Sequence, residues 1–257
     1  MPDRTALVRR PSSRMGDGLV THIERTPVDP QRAADQHAAY VGALAGAGWA
    51  VREVEPADEL PDSAFVEDTV VVIDDLAVLA RPGAPERLAE VPGTEAALDG
   101  LGLEIARIEA PGALDGGDVL QVGRTVYVGR GGRTNADGIR QLRRHAATRG
   151  RTVVAVPLHR VLHLKSAVTA LPDGTLVAAD PTLCDTTPLP TLRPVPEEGG
   201  SHVVPLGEGT LLMAASAPRT AAMLDDLGFD VVAVDIGEFE KMEGCVTCLS
   251  VLVPNPG

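Results

Sequence analysis

The sequence predicts an α/β fold in which five ββαβ modules close into a ring, and three observations carry that prediction. A helix, a glycine stop and a strand recur in that order four times. Hairpins with short turns precede these helices at a period near fifty residues. A fifth hairpin is completed only if the C-terminal strand pairs with the N-terminal one, and such closure removes the free edges of an open array.

The elements follow in order. A strand over 5–9 comes first. Asp29-Pro30 then starts a helix, with Ala33, His37, Tyr40, Val41 and Leu44 on one face and glycines at Gly46 and Gly48 closing it before a strand over 49–54. A hairpin over 69–80 turns at Asp74-Asp75, and its helix near Ala96-Ala97-Leu98 stops before a strand over 103–108. The hairpin over 119–128 turns at Gly123-Arg124, followed by a helix at 138–142 and a strand at 152–156. A further hairpin over 167–178 turns at 172–174, but 180–200 carries Pro181, Pro188, Pro190, Pro194 and Pro196, so its helix must be short. The last visible hairpin, 203–214, turns at 207–209 and leads to a helix at 220–224 and a strand at 230–234. Asp68, Asp118 and Ser166, which open the first three hairpins, are 50 and 48 positions apart. A two-domain α/β protein with a parallel sheet is the competing reading, yet no linker separates its halves. One domain over 1–257 is expected.

Charge and composition narrow the function. A net charge of −13 argues against nucleic acid and would attract a cationic small molecule, although acidity also serves solubility. Met1-Pro2-Asp3-Arg4-Thr5 has no apolar leader segment and no run is long enough to span a bilayer, so a cytoplasmic protein without membrane attachment is expected. Three cysteines do not make a disulfide framework. Oligomeric state is not legible, and a homodimer stays open.

Ring closure brings equivalent positions of the modules to one central cavity. Glu67-Asp68, Asp115 to Asp118, His163 to Ser166 and Cys248 are therefore expected to meet there. Cys248, read as the start of a strand over 244–253, is the candidate nucleophile, and it needs a histidine and a carboxylate from distant stretches. The spacing Cys245-Val246-Thr247-Cys248 also suits half a zinc site or a redox pair, but further zinc ligands at matching spacing are missing and a redox pair would precede a helix. Cys245 suits a buried apolar role better than Cys248 does. His163 leaves an apolar stretch at a module mouth, where a neutral imidazole serves as acid or base; the other histidines read as structural. Asp115-Gly116-Gly117-Asp118 is equally a tight turn, and Asp62 with Phe65-Val66-Glu67-Asp68 is equally a solvated loop. Carboxylates that run straight into the apolar 69–73 are close to burial, however, and a cationic ligand would neutralise them.

Together these stretches resemble the dimethylarginine dimethylaminohydrolase family of the pentein superfamily, guanidine-modifying enzymes. The resemblance rests on Leu19 and on 61–68, 81–87, 114–120, 132–135, 162–166 and 243–252, in register over nearly the whole chain. It implies a five-bladed α/β propeller and hydrolysis of N-omega-methylated arginine to citrulline and a methylamine, with no cofactor and no metal. It further implies Cys248 as nucleophile, His163 as general acid and base, and Asp115 as the carboxylate that orients it. Asp62, Glu67 and Asp68 would bind the guanidinium, Arg87 and Arg133 the substrate carboxylate, while Leu19, Phe65 and Met242 would line or cover the pocket. Leu249 departs from members that carry a second cysteine after the nucleophile. The same residues would serve an arginine deiminase or an amidinotransferase, and the acids alone would serve a non-catalytic binder of cationic amino acids.

Overall fold

Runs of valine, isoleucine and leucine broken by short polar or glycine turns fold into hairpins, and each hairpin gains a parallel third strand after the chain returns. The computed structural model describes residues 4–207 and 209–254; Met1-Pro2-Asp3 and Glu208 of the expected turn lie outside the described residues. β1 (Arg4–Val8) leads through α1 (Pro30–Gly46) to β2 (Ala50–Glu53). β3 (Val70–Ile73) and β4 (Leu76–Leu79) form a hairpin from which α2 (Val91–Ala97) returns the chain to β5 (Glu104–Arg107). β6 (Val119–Val122), β7 (Thr125–Arg130), α3 (Ala136–Ala147) and β8 (Thr152–Pro157) repeat the unit. The short α4 (Leu164–Ala167) precedes β9 (Thr169–Ala170), β10 (Leu176–Ala178) and β11 (Leu192–Pro194). β12 (Val203–Gly207), β13 (Thr210–Ala214), α5 (Pro218–Asp226) and β14 (Asp230–Val234) make the last complete unit, and α6 (Gly237–Glu240) leads to β15 (Val251–Pro254).

These strands form five three-stranded sheets, ordered β15-β1-β2, β3-β4-β5, β6-β7-β8, β9-β10-β11 and β12-β13-β14. In every sheet one pair is antiparallel and the other parallel. β15 lies antiparallel to β1 with Thr5 opposite Val253, so the chain ends close the ring as expected. The fold is a five-bladed α/β propeller.

Local chemistry explains the elements that hold the site. Asp29 caps α1 by accepting from the Gln31 and Arg32 N–H groups, and Pro30 occupies its first turn. The buried face of α1 packs Tyr40 and Leu44 against Leu212, Ala214 and Phe239. From that face the Tyr40 hydroxyl donates to Val246 O at 2.8 Å and meets Ser250 Oγ at 2.8 Å, pinning the turn that carries Cys248. Loss of such a buried bond costs about 1–3 kcal/mol.

Three local expectations are corrected. The expected strand over 244–253 is a strand only from Val251, because Val246–Leu249 makes a 3-10 turn. The hairpin expected from residue 167 begins only at Thr169, because Leu164–Ala167 forms the short helix α4 with His163 at its N-cap position. Between β10 and β11 there is no α-helix, only a 3-10 turn at Pro181–Leu183, since the neighbouring prolines lack the N–H groups a longer helix needs. One device now links the blades: a helical turn precedes the first strand of each, at Val66–Thr69, Gly116–Asp118, α4, Glu198–Ser201 and Val246–Leu249.

Candidate active site

Four of those five turns supply the chemistry. Cys248, His163, Asp68, Asp62, Phe65, Arg87 and Arg133 line one small cavity, with Leu19, Leu162, Met242, Glu243 and Gly244 closing it. Thiol and imidazole thus share one compartment, although they are 85 residues apart in sequence. The volume is about 20 Å³, room for about one water.

His163 is 2% exposed, and its Nε2 lies 2.9 Å from Asp115 Oδ2 and 3.8 Å from Asp68 Oδ1. Burial pulls the imidazole down, but Asp68, the Asp115 hydrogen bond and Asp118 outweigh it and hold the group up to about 10. As an imidazolium it donates to Asp115. That carboxylate is itself fixed, since Asp115 Oδ1 accepts from Gly83 N at 2.7 Å, and Asp115 N donates to Thr134 Oγ1 at 3.1 Å. Asp118 Oδ1 accepts from Leu164 N at 3.0 Å, holding the first turn of α4 and hence the His163 backbone. Gly117 is required here: a Cβ would stand 2.6 Å from His163 Nδ1, so only glycine lets the ring approach.

Asp68 accepts from Gly117 N at 2.8 Å and from Arg87 Nη1 at 2.5 Å. Burial would raise its carboxyl, yet His163 and Arg87 overcome that and hold it at about 2. Asp62, pushed up by burial, accepts from Leu19 N at 3.2 and 3.1 Å. Phe65 packs edge-on to Phe239 at 6.3 Å and walls the pocket beside Gly244.

Two expected ligands of the substrate stand differently. Glu67 does not line this cavity; its Oε1 accepts from Lys165 Nζ at 2.6 Å and its Oε2 from Thr247 Oγ1 at 3.1 Å. The lysine draws it toward a second hollow, lined by Val70, Gln121 and Val203, so Glu67 stands behind the pocket rather than in it. Burial pushes its carboxyl up to about 7, with Lys165 opposing. Arg87 lines the cavity but is wholly engaged, bonding Glu90 at 2.7 Å, Asp68, and the Asp62 and Phe65 carbonyls. Arg133 is the freer cation, its nearest carboxylate oxygen being Asp115 Oδ2 at 3.7 Å.

Cys248 is 6% exposed, and its Sγ lies 3.2 Å from Cys245 Sγ. The hydrogen bond with Cys245, burial, and the nearby acids Glu67 and Asp68 push its thiol well above the usual range. Cys245 is buried, as expected, but its contact with the candidate nucleophile was not legible. Sequence reasoning also missed Glu243, which accepts from Thr21 N at 2.8 Å, from Thr21 Oγ1 at 3.1 Å and from His22 N. These bonds tie the loop bearing Leu19 to the residue after Met242. No short-range pattern marks a pair 222 residues apart. Glu90 had a weaker signal, its position three residues after Arg87 in one helical turn.

Asp68, Asp115 and His163 also place donor atoms within 4.8 Å of one another, a set able to hold a cation. Arg87, Gly117 and Gly83 already use most of their lone pairs, so the arrangement suits an organic cation arriving from the cavity better than an embedded ion.

Comparison with known proteins follows the same line. No family model matches the chain. A dimethylarginine dimethylaminohydrolase of Streptomyces coelicolor is 59% identical over 251 residues, covering 98% of this chain and 97% of its own. A Pseudomonas aeruginosa enzyme of that name, solved as a cysteine-to-serine mutant complexed with citrulline, superposes with a TM-score of 0.89 at 31% identity, covering 98% of this chain and 100% of that one. Another solved dimethylarginine dimethylaminohydrolase, a histidine-to-glycine variant in an adduct with S-methyl-L-thiocitrulline, matches with a TM-score of 0.89 and 31% identity over 97% of this chain and 99% of its own.

Proposed function

The chain belongs to the dimethylarginine dimethylaminohydrolase family, and on that premise we propose that it hydrolyses asymmetric dimethylarginine or monomethylarginine to citrulline and dimethylamine or methylamine through a covalent intermediate on Cys248. The observation that carries the residue roles is the shared cavity of thiol, carboxylate-bound imidazolium and buried acids.

The guanidinium enters beside Asp62 and Asp68, which fix its plane and concentrate positive charge toward the attacked carbon. Arg133, with Arg87 behind it, faces the substrate carboxylate, and Leu19, Phe65 and Met242 enclose the alkyl chain. The hydrogen bond with Cys245 and burial, with Glu67 and Asp68 adding to them, keep Cys248 protonated in the free enzyme, and the incoming cation offsets the acids and so favours the thiolate. Sulfur adds to the guanidinium carbon. His163, held protonated by Asp68 and Asp115, gives its proton to the departing amine as the C–N bond breaks, leaving a thiouronium on Cys248. The neutral imidazole takes a proton from water as that water adds to the same carbon. Cleavage of the C–S bond then releases citrulline and returns the thiolate.

Residues from Leu19 to Cys248 meet at one pocket, which supports a single catalytic domain over the whole 1–257 chain. Among the described residues no helix is long and apolar enough to cross a membrane. Three free cysteines agree with a reducing cytoplasm as the working compartment.

The deciding experiment is citrulline formation by Cys248→Ser and Cys248→Ala. Turnover falls by about a thousandfold or more on this reading. Variants within about tenfold of the parent would end the covalent scheme. Dimethylarginine and arginine assayed side by side separate this activity from an arginine deiminase.

A further inference from the structure

Hydrolysis uses one sulfur, yet the turn before β15 carries two. Cys245 Sγ lies 3.2 Å from Cys248 Sγ and 3.2 Å from Thr247 Oγ1, and the Cys245 N–H points at Cys248 Sγ at 3.4 Å. The bond from Cys248 N to Cys245 O, 3.1 Å, closes a tight turn. Ends of such a turn have Cα atoms within about 7 Å, the range a disulfide bridges. Cys184, the remaining cysteine, packs in a different core with Leu158 and Leu176.

The pair also stands between two hollows. Cys248 faces the substrate pocket, whereas Cys245 lines a third cavity, of about 480 Å³, with His202, Arg160, Ser216 and Glu243. A small neutral oxidant therefore has a route to Cys245 that does not pass through the substrate pocket. The hydrogen bond with Cys248, which outweighs burial, and His202 behind it hold the Cys245 thiol well below the usual range, which favours Cys245 as the attacking sulfur.

We propose that Cys245 and Cys248 form a covalent modification site, in which a hydroperoxide oxidises Cys245 and Cys248 then closes an intramolecular disulfide that removes the nucleophile. In the first step Cys245 sulfur attacks the hydroperoxide, the O–O bond breaks, the alkoxide or hydroxide fragment takes a proton, and the sulfur is left as a sulfenic acid. In the second, Cys248 sulfur attacks Cys245 sulfur and the S–O bond breaks. The hydroxyl leaves as water with the Cys248 proton. Two thiols and one hydroperoxide give one disulfide, one water and one alcohol or a second water. The effect on turnover rests on Cys248 being the nucleophile; the bond itself does not.

The test exposes reduced full-length protein to graded hydrogen peroxide and follows turnover alongside the mass of the tryptic peptide after Lys241, which contains both cysteines. As turnover falls at least about tenfold, the peptide becomes lighter by two hydrogens, and dithiothreitol restores both. Cys245→Ser shows no such mass change and keeps its own starting rate over the same exposure. The proposal is overturned if both thiols remain open to alkylation once the parent has lost turnover, or if Cys245→Ser loses its rate as fast. A disulfide formed with turnover intact would overturn the switch and the nucleophile assignment together. No disulfide, beside an inactive Cys248→Ser, would overturn the switch alone.

Discussion

Asp115→Asn is the sharpest probe of the catalytic reading, because the amide is nearly isosteric and changes one hydrogen bond while sparing another. Its oxygen still accepts from Gly83 N, now 2.7 Å from Asp115 Oδ1. Its NH2 then faces His163 Nε2, where a carboxylate oxygen now sits at 2.9 Å. A donor there forces Nε2 to accept, so the neutral imidazole replaces the imidazolium. The rise of His163 from 6.5 to about 10 corresponds to about 5 kcal/mol favouring the charged ring, shared among Asp68, Asp115 and Asp118. Removing the Asp115 share and reversing its bond should cost about 2–4 kcal/mol of that preference, hence about 30–900-fold in the step that protonates the leaving amine. The assay is single-turnover release of dimethylamine, compared with an S-alkyl thiocitrulline whose thiolate leaves without a proton. The variant should be slow on the first and close to the parent on the second. Equal losses on both, with unfolding temperature unchanged, would show that Asp115 does not act through the proton of His163.

Other expectations follow from the same geometry. Arg133→Leu should raise KM for dimethylarginine about 10–100-fold with little change in kcat, as expected for one charge-assisted contact to the substrate carboxylate; an unchanged KM removes Arg133 from the clamp. Glu243→Ala releases three donors on the Thr21 and His22 segment, so KM should rise and trypsin should cut faster at Arg25, while protection equal to the parent's would refute the latch. The free-enzyme profile, kcat/KM against pH, should peak above neutrality, rising as Cys248 loses its proton and falling as His163 loses its own near about 10; a peak at or below neutrality contradicts both shifts. The sign for stability is the same for His163: its pairing with Asp115 and Asp68 contributes fully below about 6.5 and is lost as pH rises through about 10, so the denaturant midpoint should decline over that window.

Much of the architecture was legible because each module announces itself locally. Gly48, with φ 83°, ends a helix where the sequence placed it, and β-branched runs pair in the expected hairpins. What failed was the four-residue scale. A 3-10 turn at Val246–Leu249 is not decided by its own apolar sequence, which favours a strand, but by the Tyr40 hydroxyl held on α1 some two hundred positions earlier. Likewise α4 exists because Asp118, from the preceding blade, accepts from Leu164 N.

The same reasoning explains which site residues were readable. Cys248, His163 and Asp115 sit at positions repeated from blade to blade, so the period itself points to them. Glu67 sits at such a position too, yet its direction depends on which cation wins it. Lys165 lies at 2.6 Å from one oxygen and Thr247 at 3.1 Å from the other, and together they turn the carboxylate behind the Cys248 turn. Glu67 and Lys165 both line the cavity of Val70 and Val203, and neither lines the pocket of Cys248. That cavity draws residues from the first strands of all five blades, so the Glu67–Lys165 ion pair sits where the blades converge. Glu67 also adds to the raising of the Cys248 thiol, after the hydrogen bond with Cys245 and burial, so one buried carboxylate both anchors Lys165 and favours a protonated thiol at the proposed nucleophile.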